Sequence, residues 1–276
     1  MMLLDGQPCD SSLLLDRGLA YGDGLFETVA VRDGRLLAWD AHMARLARGC
    51  VALSLPPPEP AQLQREALEL LETRSEAVIK IVVTRGSGGR GYRPPAEARP
   101  RRIVSLQAWP GDLEGDVARP VSVWVCRQRL GHQPRLAGIK HLNRLEQVLA
   151  SAEWPAPEYF EGLMLDIDDR VIEGIRSNVF VVQGDSLLTP DLSRCGIAGV
   201  VREAVLDIAP AHGMKPCVTD LRLEQLGAST QMFLCNSVMG LRAVERIDHD
   251  GACIKLATAG TVARLGASLR VAGVVP

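Results

Sequence analysis

Lysine is scarce in this chain. Of 31 basic residues only four are lysine (Lys80, Lys140, Lys215 and Lys255), leaving 27 arginines. Any chemistry that needs a primary amine therefore has four candidates. A net basic charge is also missing. The 33 acidic residues outweigh the basic ones and give −2 at pH 7, which argues against the non-specific nucleic-acid binding that a basic face supplies. No apolar run reaches the ~18–20 residues needed to span a bilayer. The opening Met-Met-Leu-Leu-Asp-Gly has neither the basic start nor the long apolar stretch of a secretion signal. A soluble, cytoplasmic protein is the expectation. The seven cysteines (9, 50, 126, 195, 217, 235 and 253) contain no Cys-x-x-Cys pair, so no disulfide framework and no metal site is expected. The glycine-rich run at 86–91 opens no helix with Gly-x-Gly-x-x-Gly and lacks a Walker lysine-serine, so a nucleotide site is not indicated.

What remains is a globular composition, 47% hydrophobic and 23% charged, arranged in mixed order. Thr28 to Val31, a turn at Asp33-Gly34 and Arg35 to Trp39 read as a hairpin. Asp40 is placed to cap a helix running to about Ala52, and an amphipathic stripe marks a second helix from Pro60 to Leu71. Ala77 to Thr84, Ile103 to Ala108 and Val121 to Cys126 read as strands. Leu142, Leu145, Val148 and Leu149 mark a helix. Further strands are expected over Gly162 to Asp166 and Asn178 to Val182, with a hairpin at Asp168-Asp169 between them and a helix from about Gly199 to Ala209 after them. Strands and helices do not alternate regularly and nothing repeats, so the expectation is an α+β chain in two domains. The proline-, glycine- and charge-rich stretch 110–119 reads as the linker between residues 1–109 and 120–276.

Among the lysines, Lys80 lies within a β-branched strand and Lys215 and Lys255 sit beside proline or turn segments. Lys140 is different, because it follows Leu136-Ala-Gly-Ile139 and immediately precedes a helix start. Desolvation there disfavours the ammonium and yields the free amine that reacts with carbonyls. On the residues alone, a stem lying along apolar surface with its head in water is the better account of Lys140.

Leu136-Ala-Gly-Ile-Lys-His-Leu-Asn-Arg-Leu-Glu-Gln-Val148 closely resembles the cofactor-lysine segment of 4-amino-4-deoxychorismate lyases. These are fold-type IV pyridoxal-phosphate enzymes, alongside branched-chain and D-amino-acid aminotransferases. Arg17 to Thr28, Ala41 to Leu46, Thr84 to Tyr92, Val171 to Gly174 with Ser177 to Phe180, and Gly196 to Arg202 are similar to further motifs of the group, in order, over about residues 5–240.

The resemblance implies a two-domain fold-type IV architecture with mixed sheets and helices, and pyridoxal 5'-phosphate as cofactor. Lys140 is implied to hold the cofactor and then serve as acid and base. Glu173 is implied to meet the pyridine nitrogen, keeping the ring a cationic electron sink. Arg45 would grip the phosphate, with backbone amides at Val200 and Val201 and the Ser237 hydroxyl. Arg48, one turn along, has the wrong spacing from His42, which reads as a helix-positioning residue. Asn143 and Asn178 would orient the lysine segment or the ring hydroxyl. Thr28 stands where the lyases carry a proton-shuttling threonine and branched-chain aminotransferases a glycine. Arg90 and Arg85 are the candidates for the substrate's two carboxylates.

The implied reaction takes 4-amino-4-deoxychorismate to 4-aminobenzoate and pyruvate, in the p-aminobenzoate branch of folate synthesis, by a homodimer. Two other readings compete. A D-amino-acid or branched-chain aminotransferase would share every cofactor residue. A non-catalytic binding or scaffold protein would keep the fold and show no cofactor absorbance.

Overall fold

The computed structural model describes residues 2–5, 7–9, 12–89, 91–110, 119–227, 230–258 and 260–276. A small hairpin of β1 (Met2–Leu4) and β2 (Gln7–Cys9) leads into a short helix α1 (Arg17–Tyr21). Next come β3 (Gly24–Arg32), β4 (Arg35–Leu36), α2 (Trp39–Ala52), α3 (Pro60–Leu71), β5 (Ala77–Thr84) and β6 (Arg101–Gln107). The strands form an antiparallel sheet in the order β4-β3-β5-β6. Side chains alternate across a strand, and that alternation divides this sheet's labour. Leu25, Val29 and Val31 of β3, with Ile79, Ile81 and Val83 of β5, pack against Met43 and Leu46 of α2 and Leu63, Ala67 and Leu71 of α3. Phe26, Thr28, Val78 and Lys80 belong to the opposite face, with Thr28 directly across from Lys80.

The second half adds β7 (Val121–Leu130), α4 (Leu145–Ala152), β8 (Tyr159–Asp166), β9 (Val171–Gly174), β10 (Asn178–Gln183), β11 (Ser186–Pro190) and α5 (Val200–Ile208). It ends with β12 (Lys215–Thr219), β13 (Gln231–Asn236), β14 (Gly240–His249), β15 (Ala252–Lys255) and α6 (Thr261–Val271). Nine strands make a mixed sheet in the order β12-β11-β10-β13-β14-β7-β8-β9, with β15 on β14. A pairing of Glu173 with Asn178 joins β9 back to β10 and closes six of the strands on themselves. Val123, Leu163, Val179, Val181, Met232 and Leu234 fill one side. On the other, Phe180 and Phe233 stack with centroids 5.0 Å apart, beneath Val201 and Val205 of α5 and Leu265 and Leu269 of α6.

Several expectations need adjustment. Asp40 does not cap α2. Ala38 holds that position in a left-handed conformation without a side-chain bond, and Asp40 sits in the first turn, where its charge favours the helix dipole. The strand expected to end at Cys126 runs on to Leu130, because it lies inside the closed sheet and finds partners in β8 along that length. The helix expected from Leu142 starts at Leu145, and its apolar stripe faces outward: Leu145, Val148 and Leu149 are exposed while Gln147 and Ala150 are buried. Of the expected linker 110–119, residues 111–118 lie outside the described residues.

Candidate active site

The segment carrying Lys140 is fastened to the first sheet and to the turn that leads into α5. On one side the Phe26 amide donates to the Lys140 carbonyl (3.0 Å) and the Leu142 amide to the Gly24 carbonyl (3.0 Å). On the other, the Gly138 amide donates to Gly196 (2.9 Å) and the Ala198 amide to Gly138 (3.0 Å). Gly138 has φ +79°, a conformation open to glycine at little cost. The lysine is thereby held at the wall of a cavity of about 550 Å³, a size suited to a small organic molecule. Phe26, Thr28, Arg45, Lys140, Arg144, Glu173, Asn178, Val200, Val201 and Ser237 all line it.

Among the described residues none hydrogen-bonds the Lys140 amine, whose Nζ lies 4.3 Å from the centroid of the Phe26 ring. Burial pushes its pKa down to about 8, helped by the charges of Arg45 and Arg144 and opposed by those of Glu27 and Glu173. Glu173, at the end of the closed sheet, is pushed up to about 7 by burial, against the Ile197 amide that donates to its Oε2 (2.8 Å) and the charges of Arg144 and Lys140. An amine whose pKa is drawn down and a buried carboxyl whose pKa is drawn up therefore share one cavity.

Arg45 reaches the cavity from α2, and its position is fixed from behind. Its Nε donates to Glu27 Oε1 (2.8 Å), its Nη2 to Oε2 (2.5 Å), and Nη1 points to the Ala198 carbonyl (3.3 Å). His42, one turn away on α2, meets the same carboxylate through Nδ1 at 2.7 Å. Burial alone would raise the pKa of Glu27, but Arg45 and His42 hold it at about 2. Burial also lowers the pKa of His42, so the ring is neutral and donates to Glu27. The sequence reading passed over Glu27. Its signal was a charged residue on the helix-facing side of β3, opposite a histidine and an arginine spaced i, i+3 on α2.

At the start of α5, Gly199 takes the cap position without a side-chain bond, so the first-turn amides of Val200 and Val201 lack a capping partner. A Cβ on Gly199 would lie 2.0 Å from Asn178 Oδ1. Asn178 in turn donates to the Ile197 carbonyl (2.8 Å), tying β10 to this turn. Uncapped amides, a guanidinium and the Ser237 hydroxyl in the lining of one cavity suit a phosphate. With Lys140 for an aldehyde and Glu173 for a ring nitrogen, the donor set fits pyridoxal phosphate.

Three expected residues are placed elsewhere or not described. Arg85 is corrected: its Nε donates to Asp23 (2.8 Å), Nη1 to the Ser54 carbonyl (3.0 Å) and Nη2 to the Leu53 carbonyl (2.7 Å). It braces the loop after α2 and does not line the cavity. Asn143 is exposed and donates to the Gly22 carbonyl (3.1 Å), anchoring the lysine segment to α1 from outside the cavity. Arg90 lies outside the described residues. Arg48 pairs with Glu203 at 2.9 Å on the surface, as its spacing implied. His132, Asp166 and Cys195 bring ligand-type atoms within 4.8 Å of one another, but the Arg170 guanidinium bonds both His132 and Asp166 and takes the place of a cation.

Known proteins carry the same framework. Residues 24–247 match the family model for amino-transferase class IV. An aminodeoxychorismate lyase of Vibrio harveyi is 36% identical over 247 residues, covering 90% of this chain and 91% of that protein. The crystal structure of 4-amino-4-deoxychorismate lyase from Pseudomonas aeruginosa aligns with TM-score 0.87 at 44% identity, over 97% of each chain. A hypothetical aminotransferase of Mycobacterium tuberculosis in its PLP-bound form shares the fold, with TM-score 0.78 and 24% identity over 99% of this chain and 95% of that one. With four-fifths of its length matched by one family model and relatives spanning nearly all of it, the chain belongs to the class IV aminotransferase family.

Proposed function

We propose that this chain is a pyridoxal-phosphate-dependent lyase that converts 4-amino-4-deoxychorismate to 4-aminobenzoate and pyruvate. The observation that carries the reading is the desolvated, unbonded Lys140 amine lining one cavity with Thr28, in a chain whose relatives at 36% and 44% identity are aminodeoxychorismate lyases. The bound cofactor supplies an electron sink that takes up the electron pair left when a carbon beside the substrate amine loses its proton. Lys140 would hold the cofactor's aldehyde, and its amine, drawn down to about 8 by burial, would be the base that removes that proton. Glu173 holds a proton at the ring nitrogen. Arg45, the α5 amides and Ser237 hold the phosphate. The C–O bond to the enolpyruvyl group breaks, the ring becomes aromatic, and Thr28 passes a proton to the departing group, which leaves as pyruvate.

The substrate's carboxylates need cations. With Arg85 committed elsewhere, the nearest further cation on that sheet face is Lys80, which is not itself part of the cavity wall: it lies directly across from Thr28, its Nζ is 5.7 Å from the Phe26 ring, and it has no ion pair among the described residues. Arg90, in the glycine-rich loop, is the partner proposed for the other. The same reading places the protein in the p-aminobenzoate branch of folate synthesis, in the cytoplasm, as a homodimer. The outward apolar stripe of α4 supports the dimer, and no helix among the described residues is long and apolar enough to cross a membrane.

The test is product identification with purified protein and aminodeoxychorismate, followed by 4-aminobenzoate fluorescence and pyruvate release in equal amounts. Transamination of keto acids without aromatic product would assign an aminotransferase instead. Absence of a visible cofactor band would assign a non-catalytic protein.

A further inference from the structure

Gln147 was not among the residues singled out by sequence, yet it lines the cavity together with Val148 and Ser151 of the same helix, α4. It is 8% exposed, so its side chain is cut off from bulk water. Its Oε1 is buried without a partner, and no hydrogen bond reaches its amide nitrogen among the described residues. The helix does not need this side chain as an anchor. Glu146 Oε1 accepts from the Gly131 amide (2.8 Å), and Ala150 packs among Trp124, Cys126 and Leu130. A methionine of nearly the same volume would fill the place and leave no polar atom unmet. A buried amide that bonds nothing costs stability, and the partner it lacks is a group held inside the cavity.

The substrate proposed above offers four polar groups. Its amine goes to the cofactor, and the ether oxygen departs with the enolpyruvyl carboxylate. The ring carboxylate stands para to the amine, so it points directly away from the reacting nitrogen and stays on the aromatic product. Along the cavity wall, Gln147 follows Arg144 by three residues, a rise of about 4.5 Å. We propose that Gln147 is a specificity-determining residue whose amide nitrogen donates to the ring carboxylate of the substrate. A cation supplies charge to such a group, whereas an amide supplies direction. An amide also discriminates, because a ligand without the carboxylate leaves it unpaired in a buried place. An ordinary amino acid carries its carboxylate on the amine-bearing carbon itself and presents nothing in the para direction. The identity of the ligand rests on the lyase reading, while the unpaired amide does not.

Holoenzyme is titrated with 4-aminobenzoate and with aniline, as wild type, Gln147→Met and Gln147→Glu, with the heat of binding giving each affinity. Wild type is expected to prefer the acid. Gln147→Met should bind 4-aminobenzoate about tenfold more weakly, the loss of one charge-assisted hydrogen bond, and bind aniline as wild type does. Without ligand it should melt no lower than wild type, because the unmet amide is gone; an amide kept for structure would give a lower melting temperature instead. Gln147→Glu keeps the shape and brings a negative charge toward the ligand's own, so at pH 8 it should lose more affinity for the acid than Gln147→Met does. Affinity for the acid unchanged in Gln147→Met, or lost equally for aniline, overturns the proposal. So does a wild type with no preference for the acid. Should Gln147→Met lose its cofactor, the isosteric Gln147→Glu decides, and acid binding as tight as wild type at pH 8 would refute the contact. Product release from aminodeoxychorismate is read separately. Its failure with the preference for the acid intact removes the lyase assignment alone, and normal product with unmoved affinities removes this one alone.

Discussion

An amine attacks an aldehyde only when neutral, and an ordinary lysine is mostly charged below pH 10. Burial brings Lys140 to about 8. Cofactor capture by the cofactor-free protein is therefore expected to accelerate through pH 8 and level off above it, followed by the growth of visible absorbance. A rate still climbing at pH 10 would contradict the desolvated environment. Lys140→Ala should capture nothing at any pH and lose the catalytic base, a loss of at least about 10²-fold in turnover. A second buried acid, Glu161, does no comparable work. One oxygen accepts a hydrogen bond from Ser177 (3.1 Å) and lies 3.7 Å from Arg176, the other has no partner among the described residues, and burial raises the carboxyl to about 7. Its folded pKa exceeds its unfolded value near 4.5, so the folded protein binds the extra proton between those limits. Stability falls as pH rises through that window, and the full penalty is present above pH 7. Glu161→Gln is accordingly expected to raise the melting temperature at pH 8, by no more than about 3 kcal/mol in stability, and to change it little at pH 5. Equal gains at both pH values would refute the account.

At the level of elements, the turn into α5 depends on Gly199. Asn178 Oδ1 sits where a Cβ would go, so Gly199→Ala must displace Asn178, break its bond to Ile197 and tilt the first-turn amides. We expect cofactor affinity to fall roughly tenfold to a hundredfold, the equivalent of one or two charge-assisted hydrogen bonds, with the melting temperature of the cofactor-free protein less affected. Equilibrium dialysis against pyridoxal phosphate measures it, and an unchanged affinity would separate this turn from the phosphate. Local patterns announced this element and most others. The Pro60 to Leu71 helix and the Ala77 to Thr84 strand have the ends that were expected, because a cap-side proline, a 3.6-residue stripe and a β-branched run are local signals. What the sequence concealed depends on distant partners. The closure of β9 onto β10 needs a register no single strand encodes. Arg85 resembles a substrate arginine until Asp23 and two carbonyls of the loop after α2 take its donors. Arg144 and Glu27 gain meaning only from neighbours more than ten residues away or from the cavity itself. In a chain with 27 arginines, residue type alone does not separate brace from ligand.

For the whole molecule, the telling surface is α4. Leu145, Val148 and Leu149 are 75%, 59% and 55% exposed, on a helix that supplies Gln147 and Val148 to the cavity wall, with Arg144 just before it. An exposed apolar stripe of this kind favours a covering partner. A second copy seated there would shield the stripe and complete the cavity's open side, which makes assembly and substrate handling one property. Leu145→Glu with Leu149→Glu removes no core contact from the single chain, so folding should be preserved and the cofactor-free melting curve should stay cooperative. Sedimentation is expected to give twice the chain mass for the wild type and one chain mass for the double variant. Turnover should suffer mainly through a raised KM, because Lys140, Glu173 and Arg45 come from one chain while in such a dimer the entrance would be shared. Wild type that sediments as a single chain at concentrations where it is fully active would sink this view. So would a monomeric double variant with unchanged KM, since the cavity would then be complete without its partner.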